Sequence, residues 1–146
     1  MHSIDNTVEK LEKYSAPRAL IELARAGFVV HDLAYIWQKP KIFYDLVRDY
    51  PNNMPSESCL VPLWEVNGDK IIALIDDGTE RVIEYYYEDS ANEFKVIGLG
   101  IQAAIRESLK WLYIEAEYSE SQILSLAQNL DVATPEAFID ELKKST

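Results

Sequence analysis

Residues 59–87 read CLVPLWEVNGDKIIALIDDGTERVIEYYY, and this stretch decides the fold of the chain. Three runs of mainly apolar residues are separated by Asn67-Gly68 and by Asp77-Gly78. Such pairs supply the positive φ angles that two-residue hairpin turns require. The stretch therefore predicts three antiparallel strands joined by tight turns, and residues 94–97 predict a short fourth strand.

Apolar residues at helical spacing predict helices before the strands. The first helix covers residues 4–14. Ser15 is expected to cap a second helix, which ends at Gly27, and Pro40 is expected to open a third. Residues 28–37 are apolar enough to be buried, but their pattern leaves helix and strand open.

Helices are also predicted after the strands, because Gly98 and Gly100 are expected to break the fourth strand. Apolar residues at steps of four and three predict a long amphipathic helix over residues 101–116. Ser119 or Ser121 is expected to begin a further helix, and Thr134-Pro135 the last one.

The order of these elements indicates a single α+β domain over residues 1–146. Its antiparallel meander covers about residues 59–97, with helices on both sides. The hydrophobic fraction of 48% and the single cysteine predict a core that needs no disulfide. No apolar run approaches the length of about 20 residues that spans a membrane, and the N-terminus lacks a signal-peptide pattern. We therefore expect a cytoplasmic protein.

Most of the negative charge comes from one segment. The chain has a formal net charge of −11, and residues 65–93 contain nine acids and two bases, a balance of −7. Such a field repels phosphate, so we expect no nucleic-acid ligand. It attracts a basic protein partner and speeds encounter with one.

The strand sequences resemble a known family. The run VPLWEVNGD at residues 61–69 and the strands at 71–75 and 82–87 resemble the central sheet of the SUKH superfamily. In that superfamily a Pro-Leu-aromatic strand, a polar turn and a strand ending near Asp follow one another. Residues 96–105 are similar to its final block, and Trp111-Leu112 falls where its last helix continues.

The resemblance covers residues 59–115 and has two departures. Leu99-Gly100 replaces the polar cap residues of the superfamily, and Ile101 and Ala104 replace its aromatic residues. The resemblance implies an α+β fold and a protein-binding role. Many bacterial members are immunity proteins that neutralise toxins, often nucleases, delivered by competing cells, and eukaryotic relatives act as regulatory scaffolds.

Acidic side chains of the meander form the predicted contact surface for a basic partner. An inhibitor that covers a basic active surface gains association rate and specificity from the opposite charge. The predicted surface comprises Glu65, Asp76, Asp77, Glu84, Glu88 and Asp89. Tyr86 shares a strand face with Glu84 and is predicted to be an exposed aromatic anchor, whereas Trp64 is expected in the core.

The favoured function is a non-enzymatic immunity protein that binds and occludes a cognate toxin. One alternative is a regulatory scaffold of the same fold with an endogenous partner, and another is a hydrolase that uses two carboxylates of the meander. A solvated acidic surface with no binding role is a further alternative. The acids at residues 76–80 lack the ligand spacing of an EF-hand, and no catalytic or phosphate-binding motif is present, so we expect no metal and no cofactor.

Overall fold

In the computed structural model, the chain is an α+β protein with a four-stranded antiparallel sheet. Helices come before and after the sheet in the chain. The structure describes residues 4–26, 37–41, 43–44, 60–66, 69–87 and 93–144. The predicted α+β class, with an antiparallel sheet flanked by N- and C-terminal helices, is confirmed. Residues 28–36, for which helix and strand were left open, and the predicted loop before the sheet lie outside the described residues.

The sheet is the predicted meander, with a fourth strand at its edge. Its strands are β1 (Leu60–Val66), β2 (Lys70–Ile75), β3 (Arg81–Tyr86) and β4 (Lys95–Leu99). They lie in the order β1-β2-β3-β4, and each is antiparallel to its neighbour. Consecutive strands are neighbours because antiparallel pairs need only short connections.

The connection between β2 and β3 is longer than the two-residue turn that Asp77-Gly78 predicts. It covers residues 76–80, with φ angles of 91° at Gly78 and 55° at Glu80. The Asp77 side chain organises it, since its Oδ1 atom accepts hydrogen bonds from the backbone N–H and the hydroxyl of Thr79, at 3.0 and 2.6 Å. The predicted turn at Asn67-Gly68 lies outside the described residues.

Five helices have both ends within the described residues. They are α1 (Ile4–Lys13), α2 (Arg18–Ala26), α3 (Ile101–Ile114), α4 (Glu120–Asn129) and α5 (Pro135–Lys144). All five were predicted. Within the described segments, no helix combines the length and the apolar character needed to cross a membrane.

The predicted cap at Ser119 is confirmed, and the one at Ser15 is wrong. Ser119 accepts from the backbone N–H of Gln122, whose side chain accepts in return from the Ser119 N–H, which makes a capping box. Ser15 has a φ of 55° and ends α1, because the N–H of Ala16 bonds back to the carbonyl of Leu11 at 2.9 Å. This is the hydrogen-bond pattern of a helix C-terminus.

Gly98 does not break β4 but lies inside it, paired with Val82. A Cβ atom at Gly98 would lie 2.8 Å from the Cβ atom of Ala103 at the start of α3. The glycine therefore allows α3 to pack closely on β4. The strand ends before Gly100, the other predicted breaker, whose φ is 87°.

The Gly98→Ala variant is expected to lower the free energy of unfolding by about 1–3 kcal/mol, because the added methyl group forces α3 away from β4. Urea denaturation of the variant and the parent protein measures this loss. The Ala103→Gly background is the matched control, since it removes the opposing methyl group. An equal loss in both backgrounds would contradict close packing as the cause.

Strands β1, β2 and β3 carry buried side chains on both faces of the sheet, whereas the side chains of β4 are half-buried or exposed. One side, here named the helix face, packs against the helices through Val61, Leu63, Ile72, Leu74 and Val82. The other side, the Phe43 face, packs around Phe43 through Leu60, Ile71, Ala73, Ile75, Ile83 and Tyr85. Lys41, Phe43 and Tyr44 are helical, as Pro40 predicts.

Candidate functional site

The predicted acidic residues do not form one surface. Asp76 and Asp77 lie in the connection that enters β3, whereas Glu84 and Tyr86 lie toward its other end. Glu84 pairs with Ile72 and Tyr86 pairs with Lys70, four and six residues before Asp76. A strand rises about 3.3 Å per residue, so the two groups are separated by roughly 13–20 Å along the sheet. Glu88 and Asp89 lie outside the described residues.

Asp76 joins α1 to the sheet. Its side chain is only 9% exposed, and its two oxygens lie 2.6 Å from Lys10 Nζ and 3.3 Å from Lys13 Nζ. The hydroxyl of Tyr14 donates a further hydrogen bond to it. Hydrogen bonds from Lys10 and Tyr14 lower the pKa of Asp76 to about 2, and the bond to Asp76 raises the pKa of Tyr14 to about 12. These contacts favour a structural role for Asp76.

The Asp76→Asn variant is expected to lower the free energy of unfolding at pH 7 by about 1–2 kcal/mol, after allowance for solvent screening. Because the folded-state pKa of Asp76 lies below its ordinary value of 3.8, its contribution is present above about pH 4. That contribution is lost as the pH falls toward about 2. Urea denaturation between pH 7 and pH 2.5 measures the difference between variant and parent.

Asp77→Asn is the matched control for Asp76→Asn, because Asp77 is exposed and its partners lie within its own turn. A smaller loss is expected for this control. A difference between Asp76→Asn and parent that stays constant down to pH 2.5 would contradict the ionic role of Asp76.

Asp77 and Glu84 each have a cationic partner nearby in the chain. Asp77 Oδ2 lies 3.2 Å from Arg81 Nη2, and hydrogen bonds from Thr79, followed by Arg81, lower the pKa of Asp77. Glu84 Oε2 lies 3.6 Å from Lys70 Nζ. Much of the negative charge that was counted for the predicted contact surface is therefore neutralised by lysine and arginine side chains of the protein itself.

The prediction that Glu65 belongs to an exposed surface is wrong. Glu65 is 3% exposed and lies toward the Phe43 face, opposite Ile71. Its Oε2 atom accepts a hydrogen bond from the backbone N–H of Phe43 at 2.7 Å, and its backbone pairs with Gln38. The segment that covers this face therefore keeps Glu65 from solvent.

The predicted exposure of Tyr86 and the predicted burial of Trp64 are confirmed. Tyr86 is 46% exposed, whereas its neighbour Tyr85 is buried on the Phe43 face. Trp64 is 2% exposed and belongs to the core. Alternation along β3 separates the two tyrosines, because successive side chains point to opposite faces.

Among the described residues, a groove lies on the helix face of the sheet at the end where β3 finishes. Its floor is a row of residues that lie directly opposite one another across the four strands: Trp64, Ile72, Glu84 and Lys95. Strands lie about 4.8 Å apart, so the row crosses about 14 Å of sheet. The volume of the groove is about 470 Å³, which lies within the range of binding sites in proteins.

Helix α3 forms one wall of the groove and carries its exposed apolar side chains. Trp111 is 47% exposed and Ile114 is also exposed, and both line the groove. The apolar part of the floor is rigid because Trp37 stacks on Trp64, with ring centroids 4.1 Å apart. The indole N–H of Trp37 donates to Ser108 Oγ of α3 at 3.4 Å.

The groove is electrically balanced, unlike the chain as a whole. Its lining includes three lysines and three glutamates: Lys70, Lys95, Lys110, Glu84, Glu107 and Glu115. To a partner, this arrangement offers apolar contact with Trp111 and Ile114 and pairing with charges of either sign. Among the described residues, no three His, Cys, Asp or Glu side chains are grouped to hold a metal ion.

Trp111 and Ile114 are functional candidates that the sequence did not single out. The apolar stripe of α3 consists of Ile101, Ala104, Ile105, Leu109 and Leu112, all of which are buried. Trp111 lies next to this stripe, between the charged position Lys110 and Leu112. A large aromatic residue outside the buried stripe was the available signal.

No family model, no curated protein and no solved structure matches this chain. The geometry of the groove and the resemblance of residues 59–115 to the SUKH superfamily are therefore the supports for the function proposed below.

Proposed function

We propose that this chain is a non-enzymatic, protein-binding domain of the SUKH type that neutralises a cognate toxin by binding and occluding it. The observation that carries the proposal is the group of exposed side chains around the groove, namely Tyr86, Trp111 and Ile114. Tyr86 lies opposite Lys70, which lines the groove. Tryptophan and tyrosine are enriched where binding energy concentrates, because they bury a large area with few rotatable bonds.

The acidic character of the chain has a separate part in this proposal. The net charge of −11 attracts a basic partner over a distance and raises the rate of encounter. Of the acids predicted for contact, Glu84 is the described one that lies in the groove. The apolar side chains then provide the contact energy, while the field directs the approach.

The low pKa of Asp76 argues against its use as a proton donor in the alternative hydrolase. A general acid works best when its pKa is close to the working pH, and the pKa of Asp76 is about 2 because of its lysine and tyrosine partners. Asp77 has a lowered pKa as well. Both side chains therefore support the structure of the β2–β3 connection in this proposal.

Co-expression with the neighbouring open reading frame tests the proposed function. The reading frame immediately upstream in the native genome is expressed in a host with and without this chain. We expect the neighbour to arrest growth, and we expect this chain to restore growth by forming a complex that can be purified. A harmless neighbour that forms no complex would count against immunity and favour the regulatory scaffold.

Single Asp→Asn and Glu→Gln changes across the described acids separate binding from hydrolysis. An occluding binder tolerates each change with only partial loss of protection. A hydrolase loses its activity almost completely when one essential carboxylate is removed. Complete loss of protection from one such change, in a folded protein that still binds the neighbour, would overturn the non-enzymatic proposal.

A further inference from the structure

We propose that a second copy of this chain covers the groove in the free protein, with the exposed side of α3 in each copy lying on the groove floor of the other. The inference goes beyond the proposed function and does not depend on it, because it concerns the protein without any partner. A toxin that binds at the groove then has to displace the second copy.

The side of α3 that lines the groove has the pattern of a helix that packs on another surface. Four of its residues follow the spacing i, i+3, i+4 and i+7, which places them on one side of the helix. They are Glu107, Lys110, Trp111 and Ile114. All four are exposed. Here they are named the α3 stripe.

The charges of the α3 stripe match those of the groove floor. Glu84 and Lys95 lie directly opposite each other on β3 and β4, and such pairs have Cβ atoms about 4.5–5.5 Å apart. Glu107 and Lys110 are three positions apart on α3, which separates their Cβ atoms by about 5–6 Å. A stripe from another copy can therefore place Lys110 against Glu84 and Glu107 against Lys95.

Three of these four charges are available for such pairing, while Glu84 already lies 3.6 Å from Lys70 Nζ and shares its carboxylate with the incoming lysine. Lys95, Glu107 and Lys110 form no ion pair with any residue in the described parts of the chain. Beyond this charged pair, Trp111 and Ile114 of the stripe lie over the apolar end of the row, where Ile72 and Trp64 form the base of the groove and are themselves 3% and 2% exposed.

The overall charge favours this surface for contact between two copies. Two chains of net charge −11 repel each other wherever acidic regions meet. The groove and its wall balance three lysines with three glutamates, so repulsion is weakest there. The α3 stripe and the groove floor belong to the same surface of one copy. A two-fold axis therefore places each stripe on the floor of the other copy, and the stripe and the floor of both copies are covered.

Sedimentation velocity of the full chain between about 5 and 500 µM tests the proposal. We expect a reversible change from a particle of 16.7 kDa to one of twice that mass, with a dissociation constant in the range of about 1–100 µM. Trp111→Glu is expected to weaken the dimer by about 100-fold. Leu99→Glu is the matched control, because Leu99 is 69% exposed and lies on β4, opposite Arg81 and outside the groove.

Charge reversal gives a second test that a purely structural effect cannot imitate. Glu107→Lys places two cations together at Lys95 and is expected to weaken the dimer by about tenfold. Adding Lys95→Glu to the same chain is expected to restore it. A monomer at every concentration overturns the proposal, as does a dimer that Leu99→Glu dissociates and Trp111→Glu does not. Absence of a dimer leaves the growth-rescue result unaffected, so the two proposals fail separately.

Discussion

Replacement of Trp64 by alanine is expected to lower the free energy of unfolding by about 3–5 kcal/mol, the range found for large aromatic residues removed from cores. Trp64 is almost fully buried, and it stacks on Trp37. Because Trp37 is also hydrogen-bonded to Ser108 of α3, loss of the Trp64 ring weakens the link between the sheet, the segment before Pro40 and the C-terminal helices. Equilibrium denaturation in urea, followed by far-ultraviolet circular dichroism, measures the change.

Trp111→Ala provides the matched control for this stability measurement, since it removes the same side chain from an exposed position. A change within about 1 kcal/mol is expected there. A similar loss for both tryptophans would contradict the assignment of Trp64 to the core and of Trp111 to the surface. A loss below about 1 kcal/mol for Trp64→Ala would show that the stacked pair contributes little to stability.

The sheet could be predicted from sequence because the apolar runs and turn residues that define it are close together in the chain. The three apolar runs of residues 60–86 are rich in Ile, Val and Tyr, and consecutive antiparallel strands pair through the turns between them. The positions of α3 and α4 were equally accessible, the first from its apolar spacing and the second from the cap at Ser119. In each case the signal lies within a few residues of the element it defines.

The acidic surface was predicted less well because a charge count does not show the partner of each charge. Asp76 is paired with Lys13 and Tyr14, which precede it by 63 and 62 residues. Glu65 is buried by a segment that includes Gln38 and Phe43. Contacts between residues so far apart in sequence depend on how α1 and the helical turn after Pro40 are placed on the sheet.

The groove could not be predicted because it is a gap between elements. Its floor consists of a row across four strands, and its wall consists of the exposed side of α3. The apolar pattern of each element, taken alone, indicates only the side that is buried in the core. In the described part of the chain, α1 and α2 contact β1 while α3 contacts β4, and the groove lies between these two contacts.

Removal of the exposed indole of Trp111 has the largest expected effect on binding. Trp111→Ala is expected to weaken the complex with the toxin by at least about 30-fold, because side chains that dominate an interface contribute about 2 kcal/mol or more. Isothermal titration calorimetry with the toxin purified from the rescued cells measures this change. At concentrations well below those of self-association, the second copy does not compete for the groove.

Leu99→Ala is the control for Trp111→Ala because Leu99 is the more exposed apolar side chain but lies outside the groove. The affinity of the Leu99→Ala variant for the toxin is expected to stay within about threefold of the parent value. If Trp111→Ala binds as tightly as the parent while Leu99→Ala does not, the toxin contacts the β4 edge and the groove has another role. If both bind normally, the contact energy has to come from the acidic residues of the meander, and strong dependence on salt would then replace dependence on the aromatic side chains.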